Sequence, residues 1–186
     1  MGSSMSQDDD TDIRVPVPAH LAPQLRLYRR LWLAQIDLEE AKAALDEILR
    51  ARIPVPRRGR PPPLLLALTA ALVVAYSRPW VYSRGQSVAE RTVPGSLLRS
   101  LTSKQRAIHD YLIDLRNQEV AHSDADILDL HLRLYPDGHS AILRTSREAF
   151  RRSELKLIRK IIEKLAAAVE RRCAELRPAL PNRTWI

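Results

Sequence analysis

Thirteen consecutive residues without a charge, Leu64 to Tyr76, constrain this chain most. Apolar side chains in that density must leave water. Spanning a bilayer takes about 20 residues, so the run is read as a buried core helix and not as a membrane segment. Pro63 suits a first helical turn, where its missing N–H is not needed. Ser77-Arg78-Pro79 closes the helix, because the residue before a proline avoids the helical region. Being apolar on every side, this helix is expected at the centre of a bundle.

The flanking sequence supplies helices to surround it. From His20 to Ala51, Leu27, Leu31, Ala34, Leu38, Ala41, Leu45 and Ile48 recur at spacings of three and four, the period of one helical face. Ile53 to Pro63 carries five prolines around Arg57, Arg58 and Arg60. Proline lacks the N–H a helix needs, so this is a stiff basic connector. The three arginines are candidate RNA-phosphate contacts, or simply linker. After a loop from Trp80 to Val93 and a short turn over Pro94 to Leu101, Ser103 is a candidate N-cap. The helix that follows is expected to bury Ile108, Leu112 and Leu115 and to run to about Ala121. Beyond it the period becomes two. Leu128, Leu130, Leu132 and Leu134 alternate with polar residues, and Pro136-Asp137-Gly138-His139 reads as a turn. A β-hairpin returning through Ser140 to Thr145 is expected there. A last helix starts near Ser146 or Ser153 and ends near Leu176, with Leu157, Ile161, Leu165, Ala168 and Cys173 as its stripe.

The expected fold is therefore mainly α, a bundle of four to five helices with one small β-hairpin. Residues 1–18 read as a disordered acidic arm, 19–178 as a single helical domain and 179–186 as a tail. Met1-Gly2-Ser3-Ser4 resembles an expression remnant. With 186 residues, 45% of them hydrophobic, the chain has enough apolar material for one core. A lone cysteine, Cys173, excludes an intrachain disulfide and fits a reducing cytoplasm. The net charge of +8 attracts polyanions, RNA among them.

One segment carries chemistry: Leu115-Arg116-Asn117-Gln118-Glu119-Val120-Ala121-His122-Ser123-Asp124. On a uniform α-helix, with about 100° per residue, Arg116 and His122 flank the apolar stripe roughly 120° apart. His109, seven residues before Arg116, projects from nearly the same side. A guanidinium grips phosphate oxygens through a planar fork and keeps its charge. An imidazole gives or takes a proton near neutral pH. RNA brings its own nucleophile, the 2′-hydroxyl, so neither metal nor cofactor is called for. His and Asp residues show no metal-ligand spacing. One such His per chain is thin for both proton transfers, which points to a homodimer through this helix. The alternatives are structural: His122 as a cation at a helix C-terminus, and Arg116 paired on the surface with Glu119 or Asp126.

The segment resembles the R-x(4–6)-H signature of HEPN ribonucleases, with the polar residue after the Arg present as Asn117. Tyr76-Ser77-Arg78-Pro79 before Leu-Arg-Asn…Ala-His-Ser-Asp is similar to the abortive-infection branch of that superfamily. The likeness covers roughly Leu64 to Asp126. It implies a helical, dimeric fold and metal-independent RNA cleavage, in a toxin or antiphage effector held by an antitoxin-like partner. It also implies roles: Arg116 on the scissile phosphate, Asn117 positioning Arg116 or the backbone, and His122 as acid/base. His109, Arg78 and Asp124 are accessory candidates. The competing implication is a HEPN module without catalysis that binds nucleic acid, a nucleotide or a protein. A purely structural dimer is a third reading.

Overall fold

The structure is a computed structural model, and it describes residues 18–53, 61–82, 89–117, 130–134, 140–144 and 150–180. Four α-helices form its frame: α1 (Ala22–Ala51), α2 (Pro63–Ser77), α3 (Ser103–Leu115) and α4 (Arg152–Leu176). A 3₁₀ helix, Gly95–Ser100, lies between α2 and α3 and packs on α4. Shorter 3₁₀ turns at Ala19–Leu21 and Arg177–Ala179 extend the outer helices.

Each helix begins where its sequence supplies a start. Pro63 occupies the first turn of α2. At α3, Thr102 and not Ser103 is the N-cap. Its hydroxyl accepts from the Gln105 amide at 3.3 Å, and the Gln105 side chain accepts from the Thr102 amide at 3.0 Å. This reciprocal box satisfies two N–H groups that the helix would otherwise leave unpaired. Helix α4 starts at Arg152, and Glu154 accepts from the Arg151 amide. Helix α1 ends on Arg52 in the left-handed region, φ 49°, a conformation that normally falls to glycine.

Helix α1 packs along both α2 and α4, and α3 closes against α2 and α4. Leu31, Leu38 and Leu45 of α1 meet Leu72, Val73 and Tyr76 of α2, Leu112 of α3, and Ile158, Ile161, Ile162 and Leu165 of α4. All are essentially inaccessible. Arg159 of α4 donates to Asp46 of α1, which also accepts from Lys42 at 2.8 Å. The expected placement of α2 needs adjustment. Its C-terminal half is central, from Leu72 to Ser77, but Leu64, Ala67 and Ala71 are exposed. An apolar run marks what prefers burial; its length of contact depends on where the neighbouring helices end.

The expected fold class is corrected in one respect: it is a bundle of about five helical segments, without a β-hairpin as part of the fold. The described core draws on α1 to α4, the Gly95–Ser100 helix and adjoining loops. Leu130–Leu134 and Ser140–Arg144 do run antiparallel, Leu130 opposite Arg144 and Leu134 opposite Ser140, but they contact chiefly each other. Alternating leucines favour extended backbone locally. An isolated two-stranded ribbon has no third strand to make it a layer, and alone it is marginal.

No helix among the described residues is long and apolar enough to cross a membrane.

Candidate functional site

Helix α3 stops being a regular α-helix at Leu115. Arg116 and Asn117 continue it in a wider π turn, and the Arg116 amide donates to the carbonyls of both Ile113 and Leu112. Such local widening is rare and is frequent at functional sites. The angular relation expected between Arg116 and His122 depends on residues beyond Asn117, which lie outside the described residues. Arg116 is half-buried, Asn117 is exposed, and Arg116 Nη1 donates to Asn117 Oδ1 at 3.0 Å. One hydrogen bond thus orients the guanidinium and leaves most of its five donors free within the described contacts. His122 and Asp124 lie outside the described residues, as do Arg57, Arg58 and Arg60.

The turn is braced from α2. Ser77 Oγ donates to the Leu112 carbonyl at 3.4 Å, so two donors converge on that oxygen, Ser77 and the Arg116 amide. Next to Ser77, Arg78 donates from Nη1 to Asp37 Oδ1 at 3.2 Å and to Glu40 Oε2 at 2.6 Å. Arg30 donates to the Arg78 carbonyl. Arg30 and Asp37 are both buried. Burial raises the Asp37 carboxyl above its ordinary range, against the pull of Arg78 and then Arg30. Arg78, an accessory candidate from sequence, thus anchors the end of α2 to α1. Asp37 and Arg30 escape a reading based on apolar spacing. The available signal was Asp37 falling three residues after Ala34 and four before Ala41, on the buried face of α1.

His109 is placed in the interior. Its Nδ1 is 2.8 Å from the Tyr76 hydroxyl, and the rings of Tyr76 and Trp80 meet it edge-on. It forms one wall of an open cleft of about 500 Å³ with Trp80, Val93, Arg106, Asp110 and Ile113. Burial, first of all, pulls its pKa down from 6.5 to about 4. The folded state therefore holds His109 neutral, whereas the unfolded chain takes up a proton near pH 6.5. Its stabilising contribution is complete above that pH and is lost as pH falls towards 4. Urea midpoints are expected to drop between pH 7 and pH 4.5 more steeply for the wild type than for His109→Gln, which keeps a hydrogen-bonding end for Tyr76 but does not titrate. Equal slopes would show that this ring has no part in the acid sensitivity.

Cys173 is buried and its thiol is pushed up by burial, the opposite of an activated nucleophile. Among the described residues, no group of three His, Cys, Asp or Glu is arranged to hold a metal ion.

No family model matches this chain, and neither a characterised protein nor a solved structure shows detectable similarity to it.

Proposed function

We propose that the protein is a metal-independent endoribonuclease of the HEPN type, with Arg116, Asn117 and His122 as its working residues. The observation that carries this reading is the Arg116–Asn117 hydrogen bond in the π turn at the end of α3. It gives Asn117 a positioning role and presents a guanidinium at the end of a braced helix. In the proposed reaction the 2′-oxygen attacks the neighbouring phosphorus, and the bond from phosphorus to the 5′-oxygen breaks. His122 accepts or delivers a proton in this exchange. Arg116 meets the negative charge that grows on the phosphate, where a fixed cation is most effective. A second copy supplies the second imidazole. His109 and Arg78 keep structural roles.

The same reading puts the protein at work in the cytoplasm on RNA, as a toxin or antiphage effector held in check by a neutralising partner. The test uses single-stranded RNA and the DNA of the same sequence, with chelator present. RNA should be cut to a product ending in a 2′,3′-cyclic phosphate. DNA should survive, because it lacks the attacking hydroxyl. Cleavage of both, or cleavage only after metal is added, would sink this mechanism.

A further inference from the structure

Arg106, His109, Asp110, Ile113 and Asp114 recur along α3 at spacings of three and four, so they share one face. That face forms one wall of the cleft of about 500 Å³, and Trp80, Thr92, Val93 and Leu98 form the other. The backbone holds the second wall in place. The Trp80 amide donates to the Ser77 carbonyl at 3.0 Å, and the Val93 amide donates to the Pro79 carbonyl at 3.1 Å. A cleft of this size accommodates a small molecule, and such sites combine apolar walls with a few converging polar groups.

Two polar groups of the cleft lack partners. His109 is 3% exposed. Its Nδ1 is taken by Tyr76, which does not line the cleft, and Nε2 has no partner among the described contacts. Trp80 Nε1 is shielded from water and has no partner either. An indole N–H can only donate, and a shielded donor without an acceptor is costly. The two rings meet edge-on with centroids 5.2 Å apart, so they give one aromatic floor. At the mouth, Arg106 Nε donates to Asp110 Oδ1 at 3.1 Å, which neutralises that pair. Asp114, one turn further on, is exposed and has no ion-pair partner among the described residues. One carboxylate is thus left over here, on a chain whose net charge is +8. The polyanions that the whole chain attracts are disfavoured at this mouth, and a cation is favoured.

We infer that the cleft binds a small molecule made of a flat aromatic ring with a hydrogen-bond acceptor and one aliphatic ammonium group. The ring acceptor receives the Trp80 N–H, the ring lies between Ile113 and the aromatic floor, and the ammonium reaches Asp114. Neutral His109 adds no charge against it. The inference is independent of the ribonuclease reading, since binding is measured without RNA.

Heteronuclear NMR of the full chain tests it. The indole N–H signal that disappears in Trp80→Phe belongs to Trp80. Titration with meta-(aminomethyl)pyridine should move that signal at millimolar concentration. Benzylamine keeps the ring and the cation but has no acceptor, and should bind roughly threefold to tenfold more weakly. Methylamine stands for a lysine of a partner protein, and without a ring it should bind more weakly by about tenfold or more. The matching pyridine carboxylate, an anion, should not bind. Asp114→Asn should weaken the first ligand by roughly threefold to fivefold at low salt, and less at high salt. Glu163→Gln, exposed on α4, should leave binding unchanged. Circular dichroism checks that Asp114→Asn is folded; if it is not, the ligand series on the wild type decides. A Trp80 signal that meta-(aminomethyl)pyridine does not move overturns the inference. Equal binding of benzylamine, methylamine or the carboxylate overturns it too, because the acceptor, the ring or the charge is then not what the cleft reads. Binding indifferent to a folded Asp114→Asn variant also overturns it, because the cation then lies elsewhere.

Discussion

Replacing His122 with alanine is expected to cut the rate of RNA cleavage by ~10²–10⁴-fold, the usual contribution of a positioned proton-transfer group. Arg116→Ala should cost ~10²–10³-fold, by analogy with loss of one charge-stabilising donor from a reaction centre. The two losses should not multiply in the double variant, because residues that act on one transition state act as a unit. Asn117→Ala should be milder than either, since removing its Oδ1 frees the Arg116 guanidinium without deleting it. Arg116→Lys keeps the charge but gives up the fork, and should recover only part of the rate. Arg116 and Asn117 lie outside the buried core, so their variants should melt close to the wild type. Metal-free single-turnover assays on purified variants decide the matter. If Arg116→Ala and His122→Ala both retain full activity, the cleavage does not come from this site. The protein is then better read as a binding module, and retained RNA affinity in those variants would be the next measurement.

The second large effect belongs to the core. Leu31→Ala should destabilise the fold by about 2–5 kcal/mol, the range for removing a fully buried leucine. Leu31 is wholly inaccessible, on the face of α1 that packs against its neighbours, so the hole it leaves is bounded by helices that are also packed elsewhere. Such a site collapses poorly, which favours the upper part of the range. Glu163→Ala on the exposed side of α4 should change stability by no more than about 0.5 kcal/mol. Urea unfolding distinguishes these outcomes: the midpoint should fall for Leu31→Ala with an unchanged slope. A change below about 1 kcal/mol would mean that α1 is not the central packing partner, in conflict with its place between α2 and α4.

Apolar periodicity carried most of the fold. The buried residues of α1 at Leu31, Ala34, Leu38, Ala41, Leu45 and Ile48 follow directly from their spacing, because a helix that must hide one stripe advertises it every three or four positions. Pro63 and the Leu112 stripe were legible for the same local reasons; α2 does end at Ser77, but Arg78 before Pro79 is still in the helical region, φ −51° and ψ −41°, so the expected avoidance of that region is not what stops it. Helix α4 was legible in position but less so in detail: Ile158, Ile162 and Val169 are buried where Leu157 and Ala168 are only partly so. Several apolar residues compete there for one face, and the neighbours decide among them.

Other features depend on contacts between segments distant in the chain. Alternating leucines from Leu128 to Leu134 specify extended backbone, but only tertiary packing determines whether strands extend into a larger sheet, and Leu130–Leu134 and Ser140–Arg144 pair chiefly with each other. His109 looked like a partner of Arg116 by helical spacing. Its environment is set instead by Tyr76 and Trp80, more than 25 positions earlier, which make it a neutral interior ring. Arg30, Asp37 and Arg78 find one another across α1 and α2; no spacing rule links residues 30 and 78. By itself the sequence determined which stretches become helices and which faces prefer burial, since these rest on near-neighbour geometry and apolar periodicity. Only the tertiary structure decided which charged groups are buried together, where α3 widens at Arg116, and which face of α3 lines the cleft, because burial and pairing are properties of the space between helices.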